Sequence, residues 1–186
     1  MAGDVDWYRL RVTPPTEAIS IRRIRAPEWQ LLRALRLRSL EDAPEAFGQP
    51  LAEATGTSAL EWQRKALQSS RGDDRSWLVA QRGRETIGLV HGRRRSPATL
   101  LLFSMWVDPR SRRSGVGRQL IESLEAWARN WGAQETVLWV LQDNQRALGF
   151  YRRLGFEGIE TGRDAELGAD FTALALRRII SVDGAR

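Results

Sequence analysis

The segment from Leu100 to Trp131 constrains the fold more than any other part of the chain. It opens with an apolar run of strand length, Leu100–Val107, which ends at Asp108-Pro109. A turn that contains four arginines and two glycines follows at 110–118. Apolar residues then recur at spacings of three and four, as in a helix with one buried face: Val116, Leu120, Ile121, Leu124, Trp127, Ala128 and Trp131. The sequence therefore predicts a strand, a glycine-containing turn and a helix in immediate succession.

A turn of this kind, placed at the start of a helix, predicts an anion-binding site. The first N–H groups of a helix lack partners within the helix, and the helix dipole favours negative charge beside them. Gly115 and Gly117 carry no Cβ, so the backbone can approach a ligand closely. The implied ligand is a phosphate or pyrophosphate. The turn nevertheless matches neither G-x-x-x-x-G-K-[ST] nor G-x-G-x-x-G.

Two motifs in order give the chain a specific resemblance. The turn reads Arg112-x-x-Gly115-x-Gly117, which resembles the acyl-coenzyme A pyrophosphate loop of the GNAT superfamily of N-acyltransferases. After a further predicted strand, the residues from Asn144 to Phe156 follow N-x-x-A-x-x-F-Y-x-x-L-G-F, which is similar to the other cofactor-side motif of that family. Arg113 stands where many members carry glycine, and we interpret it as added positive charge near the phosphates.

The resemblance implies a GNAT acyltransferase fold, a mixed α/β sheet that is splayed at its centre and flanked by helices. It also implies acetyl-CoA as cosubstrate, with Tyr151 as the proton donor to the leaving thiolate. In that fold the connection after the first helix overhangs the acceptor site. Here this connection is acidic, so Glu41, Asp42 and Glu45 are candidates to attract a cationic amine. The residues expected to bind the cofactor are Met105, Trp106, Val107, Arg112, Arg113, Ser114, Gly115, Val116, Gly117, Arg118 and Asn144.

The remaining pattern predicts one domain over 19–180 behind an N-terminal extension at 1–18. The expected order begins with a strand over 19–25, a helix that opens at Pro27 and a second helix over 58–69 that Ser58 caps. Three antiparallel strands, a helix, a strand, a helix capped by Asn144 and two strands follow, the last over 171–176. Helix crossovers at 115–131 and 144–154 are expected to make the sheet parallel there. Apolar residues in the extension, Trp7, Tyr8 and Leu10, are candidates to pack against a second copy of the chain.

Composition narrows the function further. The 186 residues include no cysteine and one histidine, His91, which argues against a thiolate or multi-histidine metal site and against a cysteine nucleophile. Neither a membrane-spanning run nor a signal-peptide apolar region is present in the sequence, so a cytoplasmic protein with no membrane partner is expected. We expect no metal cofactor, and we regard His91 as an ordinary polar strand residue rather than a catalyst.

The net charge of +6 leaves two alternatives to an acetyltransferase. A basic nucleic-acid-binding protein is one, but the arginines are spread along the chain and aromatic-interleaved signatures are absent. The other is a non-catalytic acyl-CoA sensor, against which the intact Tyr151 argues. The expected acceptor is a small-molecule or peptide amine. Its identity and the general base stay open, because Leu100–Val107 contains no carboxylate and a water relay or Glu41, Asp42 or Glu45 could serve.

Overall fold

The computed structural model describes residues 17–72, 74–159 and 173–180. Its helices and strands alternate in the order that the sequence predicts, with one further short helix. In chain order they are β1 (Ile19–Arg23), α1 (Trp29–Asp42), α2 (Leu51–Gly56), α3 (Ala59–Arg71), β2 (Arg75–Arg82), β3 (Glu85–Arg94), β4 (Thr99–Val107), α4 (Val116–Arg129), β5 (Glu135–Leu141), α5 (Gln145–Arg153), β6 (Glu157–Ile159) and β7 (Ala173–Ile179).

The strands form one mixed sheet in the order β1-β2-β3-β4-β5-β7-β6, which confirms the predicted fold class. The α4 crossover produces a parallel pair, β4 with β5, as predicted. The α5 crossover does not: β7 lies between β5 and β6 and pairs antiparallel with both, so that part of the prediction was wrong. Sequence patterns cannot reveal such an insertion, because it depends on how the last strand returns to the sheet.

Local capping explains where two of the helices begin. The Ser58 hydroxyl accepts a hydrogen bond from the Glu61 N–H, so α3 starts with the predicted cap. The side chain of Asn144 accepts from the Ala147 N–H at 3.0 Å and caps α5. The first helix was predicted to open at Pro27, but a 3-10 turn occupies Ala26–Glu28 and α1 begins at Trp29.

Three other sequence-based predictions of helices and strands were incomplete. The helix α2 was missed, because six residues are too few for a helical period to be recognised. The first strand ends at Arg23 rather than Arg25. The last strand was predicted over 171–176, and the described part runs over Ala173–Ile179, with 171 and 172 outside the described residues. Most of the predicted extension, 1–16, also lies outside them.

Apolar residues form two clusters on opposite faces of the sheet. One joins the sheet to α4 and α5, and its buried residues include Val116, Leu120, Leu148 and Tyr151. The other joins the sheet to α1 and α3 through residues such as Leu35 (α1), Trp62 (α3) and Trp106 (β4). The sheet thus separates the helices that follow the central strand from those that precede it. Among the described residues, no helix is long and apolar enough to cross a membrane.

A buried ion pair fastens α4 to β7. The Arg178 guanidinium donates to both carboxylate oxygens of Glu125, at 3.0 and 2.5 Å, and the two side chains are 17% and 4% exposed. Arg178 also donates to the Leu154 carbonyl, and Glu125 accepts from the Thr136 hydroxyl. This network therefore holds α4, β5, β7 and the end of α5 together.

We expect Glu125→Ala to lower the free energy of unfolding by about 3 kcal/mol, because it leaves the Arg178 charge buried without its partner. Glu122→Ala is the matched control: it lies on the same helix, is 54% exposed and faces Arg118 at 3.9 Å. This control should change stability by no more than about 0.5 kcal/mol. Urea denaturation of both variants tests the difference, and equal losses would contradict it.

Candidate active site

A cleft opens in the sheet between β4 and β5. The two strands pair only from Thr99 to Leu101, opposite Glu135 to Val137. Strand β4 continues to Val107 and β5 to Leu141, but beyond these three positions the ladder between them stops. The facing backbone groups of the two strands are therefore available to a ligand that lies between them, because buried N–H and C=O groups need partners.

A β-bulge lies in the unpaired half of β4. Leu89 is opposite Trp106 and His91 is opposite Phe103, so two residues, Ser104 and Met105, face one residue of β3. Ser104 has φ of 52°, which is uncommon for a residue other than glycine. The bulge changes the direction of the backbone at Met105 to Val107, which are among the residues expected to bind the cofactor.

The predicted phosphate turn follows β4 directly. Backbone hydrogen bonding of α4 begins at Gln119, whose N–H donates to the Gly115 carbonyl at 3.1 Å. The N–H groups of Val116, Gly117 and Arg118 consequently have no acceptor within the helix. Gly115 (φ 85°) and Arg113 (φ 65°) both adopt left-handed conformations, and a Cβ built on Gly115 meets no protein atom closer than 3.8 Å. These N–H groups therefore lie in an open first turn of α4, where the helix dipole favours negative charge.

Side chains of the turn fall into two groups. Arg113, Ser114 and Arg118 are exposed, so they can approach an anion from solvent. The side chain of Val116 is buried in the core, and Trp106 packs on the α1 face of the sheet. Of the predicted cofactor residues, Val116 and Trp106 can therefore contribute only through their backbone.

Gly117 lies where there is little room for a side chain. A Cβ at this position would lie 2.9 Å from Cζ of Phe150 and 3.2 Å from Cε of Met105. Glycine therefore lets α4, α5 and the bulged part of β4 meet at one point. The assignment of Gly117 to close approach by phosphate stays a prediction, and the structure adds that its missing side chain makes room for Phe150.

Arg112 does not point its guanidinium into the turn. Its Nε donates to the Val107 carbonyl at 3.0 Å, and one terminal nitrogen forms an ion pair with Asp42. The Asp42 carboxylate also accepts from Nε1 of Trp106 at 2.9 Å. The last residue of α1 is thereby tied to the end of β4. The assignments of Arg112 to phosphate and of Asp42 to the acceptor stay predictions.

A second ion pair reinforces this tie. Arg38 of α1 donates to Asp108 at 2.5 Å, and its guanidinium carbon lies 5.2 Å from the centre of the Trp106 ring. Burial acts to raise the pKa of Asp108. Hydrogen bonds from the backbone and side chain of Arg110, with the charges of Arg110 and Arg38, nevertheless hold this pKa below its ordinary value. Asp108 therefore stays ionised and bonded.

Tyr151 lies on α5, packed edge-on against Phe150 and Phe156 with ring centroids 5.1 and 5.4 Å away. It is 7% exposed, and burial raises the pKa of its hydroxyl well above the ordinary value of 10.0. The hydroxyl is consequently neutral throughout the physiological pH range. Its neighbour Phe150 and Met105 both lie beside Gly117, so α5 packs near the bulged part of β4.

The other acidic candidates lie on the surface. Glu41 is exposed at the end of α1, and Glu45 is exposed in a 3-10 turn at Pro44–Ala46.

Sequence reasoning missed one arginine that lies beside the predicted phosphate turn. Arg82, at the end of β2, donates to the hydroxyls of Ser111 and Ser114 at 3.4 Å and so brings a further cation to the turn. Only the fold could reveal it, because Arg82 is far from the turn in sequence.

Comparison with known proteins identifies the family of the chain. The model of the acetyltransferase (GNAT) family matches residues 32–156, and the chain belongs to that family of acyltransferase enzymes. The chain is 39% identical over 56 residues to the uncharacterized N-acetyltransferase MJ1207 of Methanocaldococcus jannaschii, a match that spans 30% of this chain and 25% of that protein.

Solved structures agree on the fold. The structure is similar to a GNAT-family acetyltransferase of Streptococcus pneumoniae, with a TM-score of 0.71 and 22% identity over 88% of this chain and all of that one. It is also similar to the PaiA N-acetyltransferase of Thermoplasma acidophilum, solved in complex with coenzyme A, with a TM-score of 0.65 and 17% identity. That match covers 87% of this chain and 99% of the other.

The tie at Asp42 leads to a stability prediction. We expect Asp42→Asn to lower the free energy of unfolding by about 1 kcal/mol, since it weakens charge-assisted hydrogen bonds that solvent only partly screens. Glu41→Gln makes the same charge change on the adjacent exposed residue and should be neutral to within about 0.5 kcal/mol. Denaturation of both variants is the measurement. An unchanged stability together with a raised KM for the amine would instead make Asp42 an acceptor residue.

Proposed function

We propose that the protein is an N-acetyltransferase that moves an acetyl group from acetyl-CoA to a primary amine by direct attack. The observation that carries this proposal is the succession on one segment of an unpaired strand, a bulge and an open helix start. The amine nitrogen would form a bond to the thioester carbonyl carbon while the carbon–sulfur bond breaks. The thiolate would then take up one proton, and the nitrogen would lose one.

The described residues fit coenzyme A along this segment. N–H groups at 116–118, with Arg113 and Arg118, would hold the pyrophosphate, and backbone groups of Met105 to Val107 would pair with the pantetheine arm. Holding an amine beside a bound thioester can be worth an effective concentration on the order of 10⁵ M. No covalent enzyme intermediate is required, in keeping with a chain that lacks cysteine.

Two groups of the chain would stabilise the developing charges. The bulge frees backbone N–H groups beside Met105, which would donate to the oxyanion that forms on the thioester carbonyl. The Tyr151 hydroxyl would protonate the leaving thiolate. Its raised pKa makes it a weak acid, but a thiolate in the same dry site is also less stabilised and takes the proton more readily.

Acetyl-CoA turnover against a panel of amines tests the activity, with release of free thiol as the readout. Calorimetry with coenzyme A accompanies it, because an acyl-CoA sensor would bind without turnover. Thiol release that depends on an amine supports the transferase. Coenzyme A binding without release for any amine would favour the sensor.

A pair of glycine variants tests the phosphate turn. Gly115→Ala and Gly132→Ala both force alanine into a left-handed conformation (φ 85° and 87°), and in both the new Cβ lies 3.8 Å from the nearest protein atom. Each should cost about 1 kcal/mol of stability. Only Gly115→Ala should weaken coenzyme A binding, by about tenfold or more, since loss of one charge-assisted hydrogen bond is worth that much. Equal affinities by calorimetry would refute the placement.

We expect Tyr151→Phe to keep the fold and the coenzyme A affinity while kcat falls by about 10²–10⁴, the usual contribution of a general acid. Because the raised pKa keeps the hydroxyl protonated above pH 10, its ionisation should produce no basic limb below that pH in the wild-type profile. Steady-state kinetics from pH 6 to 10 measure both effects. A variant with more than about a third of the wild-type kcat, when chemistry limits the rate, would assign the proton to water.

A further inference from the structure

A row of four aromatic rings crosses the face of the sheet that packs against α1 and α3. Trp77 (β2) stacks on His91 (β3) with centroids 4.3 Å apart, and Phe103 (β4) lies 5.8 Å from His91. Trp139 (β5) follows, stacked on Phe103 at 6.2 Å. We call these residues the aromatic row. Phe103 and Trp139 are the first residues on this face beyond the last paired positions of β4 and β5, so these two rings flank the start of the cleft.

Positive charge surrounds the aromatic row. The Arg93 guanidinium carbon lies 5.5 Å from the centre of the Phe103 ring. Nε2 of His91 is sealed from solvent and has no hydrogen-bond partner among the described residues. Burial, and then the charges of Arg75, Arg93, Arg36 and Lys65, lower the pKa of His91 to about 3. The histidine is therefore neutral, and all the charged groups that act on it are cations.

Of these four cations, Arg36 is the one that is buried and forms no ion pair with a described residue. It is 6% exposed on α1, and its guanidinium lies 4.6 Å from the centre of the Phe47 ring. Its hydrogen bonds go to the amide oxygen of Gln49, at 3.2 and 3.4 Å, and to the Ser39 hydroxyl at 3.5 Å. These acceptors are neutral and distant, whereas a buried guanidinium is best stabilised by a carboxylate at a shorter distance.

The described residues form no ion pair with Arg36, and three carboxylates of this region are bonded to other groups. Asp42 holds Arg112 and Trp106, Glu61 lies within 3.7 Å of Lys65, and Asp74 pairs with Arg75. Burial lowers the pKa of Arg36 to about 10, and the charge of Glu53 opposes this shift, but the Glu53 carboxylate accepts its hydrogen bond from the Gln49 side chain and not from the guanidinium. Among the described residues, therefore, no carboxylate forms a direct ion pair with the buried Arg36 guanidinium, and Glu53 acts on it only at longer range.

We infer that the acceptor amine also carries a carboxylate, which Arg36 binds in place of the amide oxygen of Gln49. The inference rests on the proposed acetyltransferase function and names the class of its acceptor. Arg36 and Gln49 belong to α1 and the connection after it, which packs on the same face as the aromatic row. Phe103 and Trp139 would support the apolar part of such an acceptor, and its amine would extend into the cleft between β4 and β5.

Matched pairs of amines test this inference: amino acids and the corresponding carboxamides. Each pair is compared at equal concentrations of the free amine, because the carboxylate also raises the pKa of the neighbouring amine. Wild-type protein should have a higher kcat/KM for the carboxylate of each pair. Arg36→Gln should lower kcat/KM for the carboxylate by about tenfold or more and change the carboxamide by less than about twofold. Arg33→Gln is the control, since it removes the same charge from the preceding turn of α1 and should preserve the preference.

A second variant keeps the test informative if Arg36→Gln does not fold. Gln49→Ala removes the competing amide oxygen, so the carboxylate preference should be maintained or increased. Wild-type preference for the carboxamides, or equal losses on both members of a pair in Arg36→Gln, would overturn the inference and leave the acetyltransferase standing. Transfer to no amine in the panel would overturn both.

Discussion

The loss of pairing between β4 and β5 beyond Leu101 and Val137 is the constraint on which the rest of the site depends. A continuous ladder would satisfy these backbone groups internally and leave no room for a ligand between the strands. Separation is tolerated because each strand keeps a full partner on its other side, β3 for β4 and β7 for β5. The sheet therefore stays intact while one edge of each central strand is open.

Contacts on both faces of the sheet hold the strands and helices around the cleft in position. On one face, Asp42 and Arg38 hold the end of α1 against Trp106 and Asp108, which fixes the bulged half of β4. On the other face, Gly117 lets Phe150 approach Met105, so α4 and α5 meet beside the same half-strand. The position of the cleft walls is consequently fixed by ion pairs on one face of the sheet and by close packing on the other. A ligand between the strands would touch elements that both sets of contacts position.

Local patterns in the sequence predicted the local parts of this arrangement. The Ser58 and Asn144 caps, the strand before Asp108 and the helix after Gly115 each follow from residues within a few positions of one another. The partners of Arg112, Asp42 and Arg36 did not follow, because these contacts join segments that are distant in sequence or depend on how a loop folds back. An arginine in a phosphate motif was assigned to phosphate, although its guanidinium bonds Asp42. The aromatic row likewise emerges only from strand register.

Hydrogen–deuterium exchange with and without acetyl-CoA tests the central claim most directly, since it reports on individual backbone N–H groups. The account predicts slower exchange on binding at Met105 to Val107 and at Ser114 to Arg118, the unpaired half of β4 and the open helix start. Exchange within β2, whose backbone is already paired on both sides, should not change. Protection confined to other segments, with no change at Met105 to Val107, would contradict the placement of the cofactor between β4 and β5.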